Sequence, residues 1–479
     1  MATLKIVSGF NGAVNQSTRA CYNRPMPRLP VILIVTLLIG ISSPIVLAAP
    51  HSQIAAPRPL YEFDVQLNYA AHRLTATQRV TLPNPYGQPL KDVLFNVPAA
   101  RAPGVFDLRS VDVSGVPLTY TLSGTALRVN LPIVLQPDQA IVLTLKFTVN
   151  VPPLENVQSF AAANLAYTAD ALNVGYWYPL LAPYRSGWID VPWQPIGDPF
   201  ASEVADYLAT ITATSGVTVV SGGELTRRGN VWHYALPRAR TFAMLVSPRY
   251  REATVTLSGI TYSMFTLPEH SHLAPIALQT MVRAFHLFSA IYGPYPYSTL
   301  RVAEVSGPWS MEFSGFCALG ATDIGDYDGT TRNRLVRIMA HEVSHQWWYG
   351  VVGDDQVREP WLDEGLARFN ELRYYEAYSP QDTPWWWASV IGTLRAARPL
   401  NSSTADFSDH RTYLTSIYNQ GAVFLDELRS TIGATVFNAF LRDLYRRGSF
   451  RLITTADFFD VLKAHTEVNV QALKQRYFR

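Results

Sequence analysis

The stretch Thr331–Tyr349, TRNRLVRIMAHEVSHQWWY, decides how this chain is read, together with EPWLDEGLARF at residues 359–369. Leu335, Ile338, Met339 and Val343 recur at helical spacing and supply a buried stripe, so residues 331–349 are expected to form a helix. His341 and His345 stand four residues apart, which puts both imidazoles on one face about a turn apart, able to hold one ion. Glu342 sits one residue round the helix, where it can face a water without being a ligand, the place of a general base. The pattern His-Glu-x-x-His arises by accident in roughly one chain of this length in a hundred. Taken alone, the two histidines could be satisfied residues of an ordinary helix.

A catalytic zinc takes three protein ligands and leaves one position open, so a third donor is required. Glu364 follows His345 after 18 intervening residues and lies one turn into a second expected helix, opened by Pro360 and running over about 360–378. A returning antiparallel helix would carry its carboxylate to the two imidazoles. A helix carboxylate is ordinarily a solvated one; the spacing argues for the ligand. Two imidazoles and one carboxylate suit zinc, Zn(2+), one per chain, although other divalent metals accept the same donors. Glu359 reads as structural.

With these residues in place, HEVSHQWW, the gap and WLDEG resemble the aminopeptidase N-like zinc metallopeptidases, peptidase family M1, a gluzincin group. Thermolysin-type gluzincins share the metal pattern, but other positions separate the groups. The M1 group carries a Gly-x-Met-Glu-Asn element, and here WSMEF puts Met311 and Glu312 in register, with Trp309 in place of Gly and Phe313 in place of Asn. Downstream, SIYNQG matches a Tyr-x-x-Gly element through Tyr418 and Gly421, and Tyr413 matches a further family tyrosine. Thermolysin-like enzymes use a histidine in the role of that tyrosine, for which His410 is the nearby candidate.

The resemblance implies peptide substrates, Glu342 as base, Tyr418 as oxyanion donor, and Glu312 as anchor for a free amine, with Met311 and Tyr413 also on the substrate side. It implies an aminopeptidase. An endopeptidase, an epoxide hydrolase on the same zinc, or a non-catalytic peptide-binding protein are the alternatives. Larger relatives continue into a further helical domain, so a more open cleft is expected here.

The fold class expected is multidomain α+β, an N-terminal antiparallel β-sandwich-like domain followed by a mainly helical thermolysin-like catalytic domain. Alternation at Tyr61, Phe63, Val65, Leu67 and Tyr69, and again at Ile141, Leu143, Leu145, Phe147 and Val149, marks half-buried strands. Further strand-like runs at 207–213, 217–220 and 231–236 carry the β region, similar to the family also in IGDPFASEVADYLATI, to residue 265. From Leu273 the period turns helical and stops at Gly293-Pro294; more helices are expected near 417–430, 434–447 and 455–465. The domains are therefore 1–48 as leader, 49–59 as linker, 60–265 as β domain and 266–479 as catalytic domain.

The leader reads as a signal peptide or signal anchor: basic residues, the apolar run Val31–Ile41, then Ser42, Ser43 and Pro44, with small residues at Ala48 and Ala49. The protein is thus expected to be exported, either secreted or attached to a membrane through this segment with its domains outside the cytoplasm. Met26 is an alternative start. The formal charge of +2 includes four leader cations without acids, which leaves the remainder at −2 and gives no footprint for nucleic acid. With 48% apolar and 16% charged residues the chain is globular, and Cys317 alone lies beyond the leader, so no internal disulfide supports it. Asp323, Asp326 and Asp328 lack the rest of a calcium loop and read as a turn, Trp385, Trp386 and Trp387 as helix packing, and Cys317 as a small buried side chain.

Overall fold

A computed structural model describes residues 57–478 except Gln158 and Leu394. The leader and most of the linker lie outside the described residues. Among those described, no helix is long and apolar enough to cross a membrane.

The alternation at the start of the chain becomes the strand Leu60–Asn68, with Tyr61, Phe63, Val65 and Leu67 buried on one face. It pairs antiparallel with Arg73–Pro83, which pairs in turn with Ala140–Asn150. Its other neighbour, Ala205–Ala213, runs parallel to it, so the eight-stranded sheet is mixed where an antiparallel one was expected. Two four-stranded sheets share its core. Aromatic contacts centre that core, with Tyr61 stacked on Tyr207 at 5.0 Å and Phe63 edge-on to Tyr178 at 4.9 Å.

The expected boundary at residue 265 does not coincide with a change of sheet. Strands Arg251–Leu257 and Ile260–Thr266 form a hairpin, and the second runs parallel to Thr299–Val305. They belong to the five-stranded sheet that continues through Phe316–Gly320 to the edge strand Met311–Phe313. Strand propensity is local, whereas the partner is chosen by tertiary packing, which is why the period alone misplaced them.

Helix α1 (Ala274–Ile291) covers this sheet and packs against α2 (Arg334–Ser344). Asn333 caps α2, its side chain accepting from Val336 N at 3.0 Å. The helix is shorter than the expected 331–349. After Ser344 the chain turns, Gly350 N donating to His345 O and Tyr349 adopting φ 108°. Trp347 donates to Gly293 O while Trp348 packs on Tyr292, so the two indoles bury in different places. Arg240 of the β domain fixes this turn by donating to Tyr349 O, and also to Ser202 O and Arg451 O at 2.8 Å each.

Helix α3 (Trp361–Tyr378) packs on α2 and on α4 (Gln420–Ile432). Helices α5 (Ala434–Gly448) and α6 (Thr455–Lys463) complete the second core. Ahead of α4, the turn His410–Tyr413 and a π-helical segment Leu414–Asn419 continue the same helix backward. Such segments gather at functional sites.

The α3–α4 contact is made through glycines. A methyl on Gly421 would come within 2.6 Å of Gly365 Cα. This close approach is the physical reason for a glycine three residues after Tyr418. Replacement Gly421→Ala is expected to part the helices and destabilise the fold by about 1–3 kcal/mol, despite the better helix propensity of alanine. Thermal unfolding checks this; a midpoint equal to or above that of the unaltered protein would contradict it.

Candidate metal centre

Contacts between α2 and α3 run in opposite senses along the two helices. Thr331 O accepts from Tyr375, Arg337 pairs with Glu371, and His345 meets Glu364. The antiparallel return expected from the spacing thus carries Glu364 between the two histidines. Its Oε2 lies 3.2 Å from His341 Nε2 and 3.5 Å from His345 Nε2.

Those separations match a metal's needs. A tetrahedral ion with ligand bonds near 2.0–2.1 Å sets its donors about 3.4 Å apart. The imidazoles are oriented for it as well. His341 Nδ1 is 3.0 Å from Glu371 Oε1, and His345 Nδ1 is 3.0 Å from Trp348 O. Donation from both Nδ1 atoms leaves both Nε2 lone pairs facing Glu364, the arrangement in which histidines ligate zinc. Burial would raise the Glu364 carboxyl, but the two imidazoles outweigh it and hold the group well below the ordinary carboxylate range.

Behind His341 stands a brace that the sequence reading did not include. Glu371 is fully buried, one turn beyond Arg368, and accepts from Arg337, Arg368 and Trp386 Nε1. Burial would raise its carboxyl, and the two guanidiniums overcome that and lower it. Its position seven residues after Glu364 on one helix was the available signal. The Trp385–Trp387 cluster finds its use here, as Trp386 is buried against this carboxylate.

Glu342 is buried, and its Oε2 has no hydrogen-bond partner among the described residues. Burial pushes its carboxyl up to about 8, with His345 pulling the other way. A divalent cation on the three ligands would draw it back down. Its carbonyl accepts from the thiol of buried Cys317 at 3.4 Å, which leaves that cysteine a packing role.

On the His345 side lies a group of buried acids. Glu312 on the edge strand, His345 and Asp363 come close enough to form a second cation-binding set. Gln356 bridges two of them, donating to Glu312 Oε1 at 3.1 Å and to Asp363 Oδ2 at 2.9 Å. Asp198, from the IGDPF segment of the β domain, joins them and accepts from Tyr176 at 3.3 Å. Burial raises Asp198, Glu312 and Asp363, the last to about 7, and each is raised further by its acidic neighbours. Asp198, Asp363 and Gln356 carried no periodic or spacing signal in the sequence; only the fold assembles them.

Tyr418 meets the centre from the π-helical segment. Its hydroxyl donates to Glu364 Oε1, and its ring stacks on His341 at 5.7 Å and 5°. The guanidinium of Arg368 lies 5.3 Å over the same ring. Tyr413 packs edge-on to Tyr418, with its hydroxyl buried beside Gly197, where a Cβ would come within 2.8 Å of it. His410 stacks on Phe160 of the β domain instead of reaching the ligands, so of the two candidates it is Tyr418 that contacts the centre. Met311 precedes Glu312 on the strand, and alternation turns its side chain into the β-rich core, away from a ligand. Phe313 is buried for the same reason, against Tyr176 and Phe316, with its ring over Gly175. Trp309 is edge-on to Phe160.

Two other expectations, for Glu359 and for the acidic run Asp323 to Asp328, resolve into local structure. Glu359 accepts from Thr455 N at 2.9 Å at the start of α6. Asp328 accepts from Thr330, and Asp326 from Arg334 N, within the turn before α2. Asp323 accepts from Ser310 and pairs with Arg334.

The profile of the peptidase family M1 domain matches residues 278–477. Residues 278–477 thus resemble a peptidase family M1 domain. Over 234 residues it is 22% identical to endoplasmic reticulum aminopeptidase 1 of Homo sapiens and 24% identical to glutamyl aminopeptidase of Bos taurus, covering 46% and 44% of this chain. These matches span about a quarter of the length of either relative, 25% and 24%. In fold, the chain resembles the M1 zinc metallopeptidase of Deinococcus radiodurans, with a TM-score of 0.64 at 17% identity, over 88% of this chain and 94% of that one. A mutant of that protein bound to a Tyr-Ser-Ala substrate aligns at 0.61 and 19% identity, over the same shares. Zinc is the cofactor that this likeness implies, and His341, His345 and Glu364 are the residues here that fit it.

Glu371→Gln removes the charge behind His341 while keeping the side chain's shape. Loss of such a partner typically weakens metal binding by about 10- to 100-fold. Competition for zinc against a chromophoric chelator, with thermal unfolding run alongside, should show that weakening in a folded protein; unaltered affinity would deny Glu371 its orienting role.

Proposed function

We propose that this protein is a zinc-dependent aminopeptidase. The observation that carries the reading is the buried acid group beside His345, a place for one cationic terminus at a fixed distance from the metal ligands. When bound to His341, His345 and Glu364, zinc supplies Lewis acidity at the scissile carbonyl and makes water acidic enough to attack.

The chain's own residues do the rest. Glu342, whose buried Oε2 has no hydrogen-bond partner among the described residues, takes the proton of the attacking water and passes it to the departing amine. The phenol of Tyr418 donates to the oxyanion that forms on the carbonyl. A preorganised donor of this kind is worth on the order of 100- to 1000-fold in turnover. Glu312 and Asp198 receive the substrate ammonium, one from the edge strand and one from the β domain. Gln356 fixes the orientation of Glu312 and ties it to Asp363.

Peptide as the substrate class is supported by the edge strand Met311–Phe313, which among the described residues pairs on one side only and can align an extended chain along the other. The names of the relatives, endoplasmic reticulum aminopeptidase 1 and glutamyl aminopeptidase, point the same way. So does the tripeptide bound to the Deinococcus radiodurans protein.

Cleavage of one peptide with a free and with an acetylated N-terminus, Glu342→Gln serving as the blank, tests the proposal. Only the free peptide should be cleaved, and Glu312→Gln should lower kcat/KM on it by about 10- to 100-fold, the worth of a charge-assisted hydrogen bond. Equal cleavage of both peptides would indicate an endopeptidase. Absence of any Glu342-dependent cleavage would favour a binding protein on this scaffold.

A further inference from the structure

The metal ligands separate two kinds of surroundings. On the His345 side stand Glu312, Asp198 and Asp363, all acids. On the His341 side a cavity of about 310 Å³ is lined by Arg332, Arg334, Arg337, Arg368 and Arg411, with Asp326 as its one acid. That volume lies at the lower end of ligand pockets.

Two links tie this cavity to residues that support the metal ligands and Tyr418. Arg337 and Arg368 reach from its wall to Glu371, which meets His341 Nδ1. Leu414, Thr415 and Asn419 form another wall, and they belong to the π-helical segment that presents Tyr418.

The cations are only partly compensated. Arg332 pairs with Asp382, Arg334 with Asp323, and Arg337 and Arg368 share Glu371. Asp326 is engaged by the backbone of Arg334. Arg411 closes no salt bridge among the described residues and is exposed at the cavity's rim. Arg368 is 7% exposed, and its Nε is buried without a hydrogen-bond partner among the described residues.

We propose that the arginine-lined cavity receives a carboxylate on the leaving portion of the substrate. The inference rests on the aminopeptidase reading, in which the acids on the His345 side hold the substrate's ammonium and the released peptide extends past His341. Acids at one end and arginines at the other then match the dipolar charge of a short peptide. Arginine is the side chain suited to such an acceptor, since its planar fork meets both oxygens of a carboxylate. The carboxylate can be the peptide's own C-terminus or an acidic side chain at a leaving-group position.

The test uses the zinc-loaded full protein and four substrates: leucyl anilide, Leu-Gly-Gly acid, Leu-Gly-Gly amide and Leu-Gly-Asp amide. The free acid should exceed its amide in kcat/KM by about tenfold, mainly through KM, as a charge-assisted contact gives. In Arg411→Gln, an exposed position whose change leaves the core intact, that acid-to-amide ratio should fall close to one. Preference for Leu-Gly-Asp amide over Leu-Gly-Gly amide would assign the contact to a side chain, and preference for the free acid to the C-terminus. Equal cleavage of all three peptides by the unaltered enzyme would overturn the proposal, as would a preference for either carboxylate-bearing peptide that Arg411→Gln leaves untouched. If the leucyl anilide itself is not cleaved, the aminopeptidase reading fails, and this inference with it; if it is cleaved and the peptides do not differ, the inference alone fails.

Discussion

The carboxylate of Glu364, set between the two Nε2 atoms of His341 and His345, is the contact on which the rest of the site depends. Three acceptors and donors of mixed charge do not collect in a buried place without compensation. Here the compensation is built in layers. The imidazoles are turned by Glu371 and the Trp348 carbonyl, Glu371 is held by two arginines and an indole, and the helices that carry them are packed through α2, α3 and α4. The Gly365–Gly421 approach belongs to the same construction, because it sets the distance at which Tyr418 meets Glu364.

The β domain takes part directly. Arg240 grips the turn that follows the metal helix, so the end of α2 is fixed by a residue about a hundred positions earlier. Asp198 brings an acid to the group around Glu312, and Tyr176 both binds that acid and packs against Phe313. The phenylalanine that departs from the family's asparagine thereby has a physical account. It fills space above Gly175 in a core shared by both parts of the chain.

Much of the site was legible because its chemistry sits on helical spacing. His341, Glu342 and His345 lie within one turn and a bit of a single helix, and Glu364 lies on the next one, so pattern alone brought them together. The parts that escaped are those without local order. Asp198 and Gln356 come from loops, and Asp363 is one residue from a ligand but acquires its significance from Glu312 across the cleft. In the fold, strand existence was readable and strand partnership was not: the hairpin at 251–266 alternates like the β domain yet pairs with the catalytic sheet. The end of α2 was overdrawn by five residues because the apolar run WW continues past the turn that buries its members separately.

The most direct measurement is anomalous diffraction at the zinc absorption edge from crystals of the zinc-loaded protein. Among the described residues the structure offers two cation sets that share His345, one with His341 and Glu364 and one with Glu312 and Asp363. A single strong peak bounded by His341, His345 and Glu364, with none between Glu312 and Asp363, is the result expected here. A peak in the second set, or none in the first, would contradict the assignment of the metal centre and of every role that depends on it.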